Sequence, residues 1–324
     1  MTTAPDLATE PLADRTPARP DHVWPHHVRP IHIRPDPVRS TRVRSAAVRP
    51  GLRTALSLVL VAAGVAQGVS HPQVVRDALG TVADATGVHL PGRLPAPEDR
   101  DFPTPGVEAP ARLLAAPLVP SSDATFAFNH TDTAPDGAAI PVSWSPCRPL
   151  TYVVDPASAP PDFAERVRAV AHEVEAASGL VLADDGTTTE PATLPRAAFQ
   201  HARYGDRWAP VLVRFADETA TPALAGGVAG VAGQTMSTDP TTGTRHLVSG
   251  AVFLDTELLS WPDHDGEPAY LGTLRHEFGH LVGLGHVDDP TQLMHPVNQG
   301  QGAFQAGDLA GLAALGRGPC APGL

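Results

Sequence analysis

Apolar residues recur at helical spacing in two places in the second half of the chain. Between Asp162 and Ser178, the residues Phe163, Val167, Val170 and Val174 fall on one side of a helix, with Asp162 at its N-cap and Gly179 as its stop. Between 271 and 283, Leu271, Leu274, Phe278, Leu281 and Val282 form a second such stripe. Short apolar runs bounded by proline, glycine or polar clusters predict strands over 149–155, 180–182, 210–216, 228–234 and 247–254. Strand, helix, strands, helix is an α+β order, and it occupies residues 125–324.

The first half has a different pattern. Residues 1–53 carry a five-residue repeat, from Ala18-Arg19-Pro20 through Val28-Arg29-Pro30 and Ile33-Arg34-Pro35 to Val48-Arg49-Pro50. A period of five matches neither a helix face nor a strand face, so with this much proline the expectation is a disordered tail. Its histidines His22, His26, His27 and His32 have nothing to fix a ligand geometry.

Residues 54–70 are uncharged and largely apolar, and Arg44, Arg49 and Arg53 precede them. Basic, apolar, then small residues is the order of a signal sequence. The run is short for a bilayer span, which needs about 20 apolar residues, so cleaved signal and retained anchor both stand. In either case the positive-inside rule leaves the tail in the cytoplasm and the C-terminal domain outside, giving a secreted or single-pass membrane protein. Residues 71–124 open with a short helical pattern over 73–84 and turn proline-rich, as expected of a linker or propeptide.

Composition adds the charge picture. The 324 residues have a net charge of −12, and every one of the 23 basic residues is arginine. Nine Arg against five Asp/Glu in residues 1–53 leave the remainder near −16, and an acidic body argues against nucleic-acid binding. The only cysteines, Cys147 and Cys320, bracket the second half. In an exported protein their simplest state is one disulfide, with two unpaired thiols as the alternative.

The chemistry lies on the second helix. His276 and His280 are four residues apart and share a helix face, where both can grip one metal ion. Glu277 stands between them, suited to take a proton from an activated water. Gly283 permits a sharp turn that can bring His286 back to the same ion. Three neutral imidazoles with one position left open describe a catalytic zinc site. His172, His201, His246, His264 and His295 are expected at the surface. Asp288 and Asp289 read either as partners of the ligands or as a turn before Pro290. Asn129-His130-Thr131 matches a glycosylation acceptor, a short motif that carries little weight.

His276-Glu277-Phe278-Gly279-His280-Leu281-Val282-Gly283-Leu284-Gly285-His286 resembles the zinc signature of the metzincin metalloproteases. Gln292-Leu293-Met294-His295-Pro296 is similar to the methionine turn of that family, and residues 305–316 resemble the closing helix of its matrixin branch. The resemblance implies a metzincin-like zincin domain, with a twisted mixed five-stranded sheet, a zinc-bearing active-site helix and a C-terminal helix. It implies an apolar floor at Met294 and an edge strand, 228–234, that pairs with an extended peptide substrate. It also implies zinc peptidase activity, with Glu277 as general base. Many matrixins cap their zinc with a propeptide cysteine, and residues 71–124 contain none. No second zinc is assigned, and calcium stays open. Two rival readings are a non-catalytic tethered zinc-fold binding module and an interaction protein that works through its Arg/Pro tail. The implied partners are a protein or peptide substrate, and a membrane if residues 54–70 are retained.

Overall fold

The computed structural model describes residues 102–324, apart from 107, 120–124, 135 and 299, together with the backbone of Ile31–His32. The expected apolar segment 54–70, the short helix over 73–84 and the rest of the tail lie outside the described residues. Among the described residues no helix is long and apolar enough to cross a membrane.

The architecture is mixed α+β, with one mostly parallel sheet. Two-residue strands are β1 (Ile31–His32), β2 (Ala127–Phe128), β5 (Ser143–Trp144) and β11 (Leu284–Gly285). A small hairpin consists of β3 (Thr131–Thr133) and β4 (Ala139–Pro141). The five longer strands of the main sheet are β6 (Leu150–Val154), β7 (Leu182–Thr187), β8 (Val211–Ala216), β9 (Gly230–Thr238) and β10 (Arg245–Asp255). The main path runs β1-β9-β10-β8-β6-β7, and β5 adds to β10 to make seven strands in all. The sequence leads to five; the two extra pieces are too short to leave a period of their own.

Strand β10 is central. It is parallel to β8 and β5, antiparallel to β9, and buried along nearly its whole length. A strand covered on both faces reads as a continuous apolar run, as Leu247–Leu254 largely does. Strand β7 departs from expectation. It begins at Leu182, where the apolar run ends, and continues through Ala183, Asp184, Asp185 and Gly186. Parallel pairing with β6, from Leu150↔Leu182 to Val154↔Thr187, recruits this polar segment. That is tertiary pairing overriding local propensity.

Among the described residues the α-helices are α1 (Phe163–Ser178), α2 (His201–Tyr204), α3 (Tyr270–Val282) and α4 (Ala306–Leu315). Helix α1 buries Phe163, Val167, Val170 and Val174, the stripe that the spacing predicts. Each such side chain contributes about 1.5–3 kcal/mol when removed from water. Gly179 ends α1 in the left-handed conformation, φ 68°. Asp162 makes no side-chain cap; its carboxylate instead accepts from Arg166 at 2.9 Å.

Helix α3 is buried on almost every side, against β9 and β10, against α1 and against α4. A helix enclosed this fully must satisfy its end groups internally. Trp144 Nε1 donates to the Leu281 carbonyl at 2.8 Å, and Gln234 Nε2 donates to that of His280. Asn129 Nδ2 also reaches the His280 carbonyl at 3.5 Å, so a glycan on Asn129 would displace this contact. Arg275 ties the outer side of α3 to Glu173 of α1 at 2.8 Å and to Glu267 at 2.7 Å.

Cys147 and Cys320 face each other at disulfide distance, with Cα atoms 5.4 Å apart. The segment that follows Cys320 lies across the domain: Ala321 donates its N–H to Glu108 at 2.7 Å and Gly323 donates to Asp239 at 3.0 Å.

Candidate metal centre

Helix geometry puts His276 and His280 one turn apart, and both are buried. Gly283 then ends the helix at φ 128°, a conformation few other residues adopt. A Cβ there would also lie 2.8 Å from Leu315, so close packing excludes a side chain as well. The chain next forms β11, which pairs antiparallel with β2 through Leu284↔Phe128 and Gly285↔Ala127. That pairing aims His286 back at the helix. Sequence reasoning missed it, because two two-residue strands leave no period to read.

The three Nε2 atoms converge. His276 and His280 are 3.0 Å apart, His280 and His286 3.0 Å, and His276 and His286 3.3 Å. Nitrogens around one tetrahedral zinc, each about 2.0–2.1 Å from it, stand roughly 3.3 Å apart. Nδ1 of His276 lies 2.7 Å from the Leu293 carbonyl, and Nδ1 of His280 lies 2.8 Å from the Leu284 carbonyl. A carbonyl only accepts, so both Nδ1 atoms carry the proton and both Nε2 atoms present lone pairs. Lone pairs aimed at one another in a buried space are repulsive unless a cation lies among them. The donor set therefore fits a divalent ion.

The electrostatics agree. Burial lowers His276 to about 3 and His286 to about 4, and it holds His280 well below its ordinary value. Neighbouring imidazoles add to the shifts of His276 and His280, and His295 adds to those of His276 and His286. All three rings are neutral at pH 7, the form that binds metal. Burial likewise pushes the Glu277 carboxyl well above the usual carboxylate range. Neither Glu277 oxygen has a hydrogen-bond partner, although the residue is fully buried. An adjacent cation reverses that preference and favours the charged form.

Met294 is buried, and its sulfur lies 2.5 Å from where a Cβ on Gly279 would stand. Gly279 is thus what lets the methionine pack against the helix beside His280. Asp308, at the third position of α4, accepts the backbone N–H groups of Leu293, Met294 and Gln305. Its sequence signal is the capping box of Gln305 and Asp308, which marks a helix start and gives no hint of the Met294 turn.

Asp289 accepts from Thr291 Oγ1 at 2.7 Å and from its N–H at 2.9 Å, which makes the 288–291 stretch a turn. His246, expected at the surface, is instead fully buried on β10, because the strand that carries it is enclosed on both faces. Among the described residues a second metal-capable group joins Glu108 to Cys147 and Cys320, whose sulfurs face each other. No protein-family model matches the chain, and no curated protein matches it.

Proposed function

We propose that this chain is a zinc-dependent endopeptidase of metzincin type, resembling the matrixin branch, that cuts protein or peptide substrates outside the cytoplasm. The observation that carries the reading is the convergence of three neutral imidazoles, two of them with defined tautomers, beside a buried carboxylate with no partner. His276, His280 and His286 would hold the zinc. Zinc supplies Lewis acidity, which lowers the pKa of a water and stabilises charge developing on a carbonyl oxygen. Glu277 takes the proton from the attacking water and passes it to the departing amine. Burial of α3 excludes bulk water from around that carboxylate. Strand β9 supports the substrate reading, since among the described residues its only strand neighbour besides β10 is the two-residue β1. Backbone pairing along β9 would orient an extended peptide.

Ile31–His32 pairs in parallel with β9 at Gly233 and Gln234. That pairing needs the tail and the domain on one side of any membrane. An anchor at residues 54–70 and cleavage there would each part the tail from the domain, so neither is compatible with this pairing.

The test uses the purified full chain with zinc and a mixed peptide library, with cleavage sites read by mass spectrometry. Cutting is expected with zinc, stops on chelation and returns on zinc addition. Glu277→Gln should keep zinc and lose about 10²–10⁴-fold in rate. Equal cutting by that variant overturns the assignment. Tight zinc binding with no cutting by the wild type leaves the tethered binding module as the reading.

A further inference from the structure

We infer that Gly230, the first residue of β9, is a positioning residue for Glu277: its missing side chain is the space in which the carboxylate arm of Glu277 rests. The inference rests on the peptidase reading above.

Gly230 pairs with Leu254 of β10, and residues 230–235 continue in pairing along that strand. A Cβ at Gly230 would stand 2.9 Å from Thr273 Cγ2, 3.0 Å from Glu277 Cγ and 3.0 Å from Glu277 Oε1. Carbon atoms at optimal contact are about 3.5–4.0 Å apart, so all three contacts are too close. Thr273 and Glu277 are four residues apart on α3 and share the helix side that meets the strand. The side facing Gly230 and the pair of zinc-ligand candidates are therefore presented by adjacent stripes of one helix.

The three contacts do not yield equally. Thr273 is β-branched within a helix, so its χ1 has few alternatives. The backbone of β9 is held by β10. The Glu277 side chain is the flexible partner, and no hydrogen bond holds its carboxylate in place. An added methyl would move the carboxylate, while its 2.9 Å contact with the stiff Thr273 is relieved only by a small shift of strand against helix, an overpacking cost. The Gly230 backbone is not in the left-handed region, so alanine there probes space and not conformation.

The experiment compares wild type, Gly230→Ala, Glu277→Gln and the double variant. Each is read by zinc-dependent peptide hydrolysis, by the visible spectrum of the cobalt(II)-loaded protein and by thermal unfolding. Gly230→Ala is expected to fold and bind metal, with a melting temperature lowered by the contact with Thr273. Its kcat should fall about tenfold or more with KM within about threefold, as for an interaction made only in the transition state. Its cobalt spectrum should shift as that of Glu277→Gln does, and adding Gly230→Ala to Glu277→Gln should change the spectrum no further. Unchanged kcat and spectrum in Gly230→Ala overturn the inference. So does a chain that fails to fold, because the contact would then be taken up by the packing and not by the Glu277 arm. If wild type cuts no peptide while the two single-variant cobalt spectra coincide, the peptidase reading fails and the positioning role stands.

Discussion

Asp308 and Leu293 are joined at 2.8 Å, the carboxylate accepting the backbone N–H, and the carbonyl of the same Leu293 accepts Nδ1 of His276 at 2.7 Å. The start of α4 thereby reaches the first candidate ligand through one backbone unit. Partners of this kind set the orientation and basicity of a ligating imidazole. Asp308→Ala would strand three N–H groups, two of them in buried backbone, at a cost of about 2–4 kcal/mol. Zinc affinity should weaken about 10–100-fold, and Asp308→Asn, which keeps one acceptor oxygen, should fall between. Urea denaturation and a competitive zinc titration measure the two effects. Wild-type zinc affinity in Asp308→Ala would refute the link to His276.

Cys147 and Cys320 are 173 residues apart in sequence. A bridge that closes so long a loop removes much freedom from the unfolded chain. Cys320→Ser, or reduction of the wild type, should cost about 2–5 kcal/mol. It also frees the segment held by Glu108 and Asp239. Urea midpoints with and without reductant provide the check, and coincident midpoints would show that the bridge adds nothing.

His246 is buried, and its pKa is lowered from 6.5, first by burial and then by Arg148, against the opposing pull of Asp239 and Glu108. Above pH 6.5 the ring is neutral in both states and pH has no effect through it. Below that value the unfolded chain takes up a proton that the folded one refuses, so stability falls as pH falls. Asp239 acts in a lower window. Burial opposes its charge, but the N–H groups of Gly323, Thr241 and Thr242 outweigh that and lower it from 3.8. Its contribution is lost only as pH drops below the unfolded value. The difference in unfolding free energy between wild type and His246→Asn should therefore slope below pH 6.5, by at most about 1.4 kcal/mol per unit. A flat difference curve would show that the buried ring titrates normally.

Much of the framework was legible where a local period exists. The stripe of Phe163, Val167, Val170 and Val174 marks α1 within a residue of its ends, and 210–216 and 247–254 mark two strands closely. Legibility failed where pairing partners decide. Strand β7 runs through Asp184 and Asp185 because β6 needs a neighbour. His246 is enclosed where its strand lies between β9 and β5, paired with Ser237 and Ser143, and no residue beside it announces that.

The sequence by itself determined which side chains can act: two histidines and a glutamate within five residues, on a helix whose 3.6-residue turn stacks His276 over His280. A helix carries that geometry within itself. Only the tertiary structure decided the rest. The β2–β11 pairing turns His286 inward, the carbonyls of Leu293 and Leu284 select the tautomers, and the bare backbone of Gly230 leaves room for Glu277. Those relations join segments as far apart as Ala127 and Gly285, and close packing between distant segments leaves no period along either one.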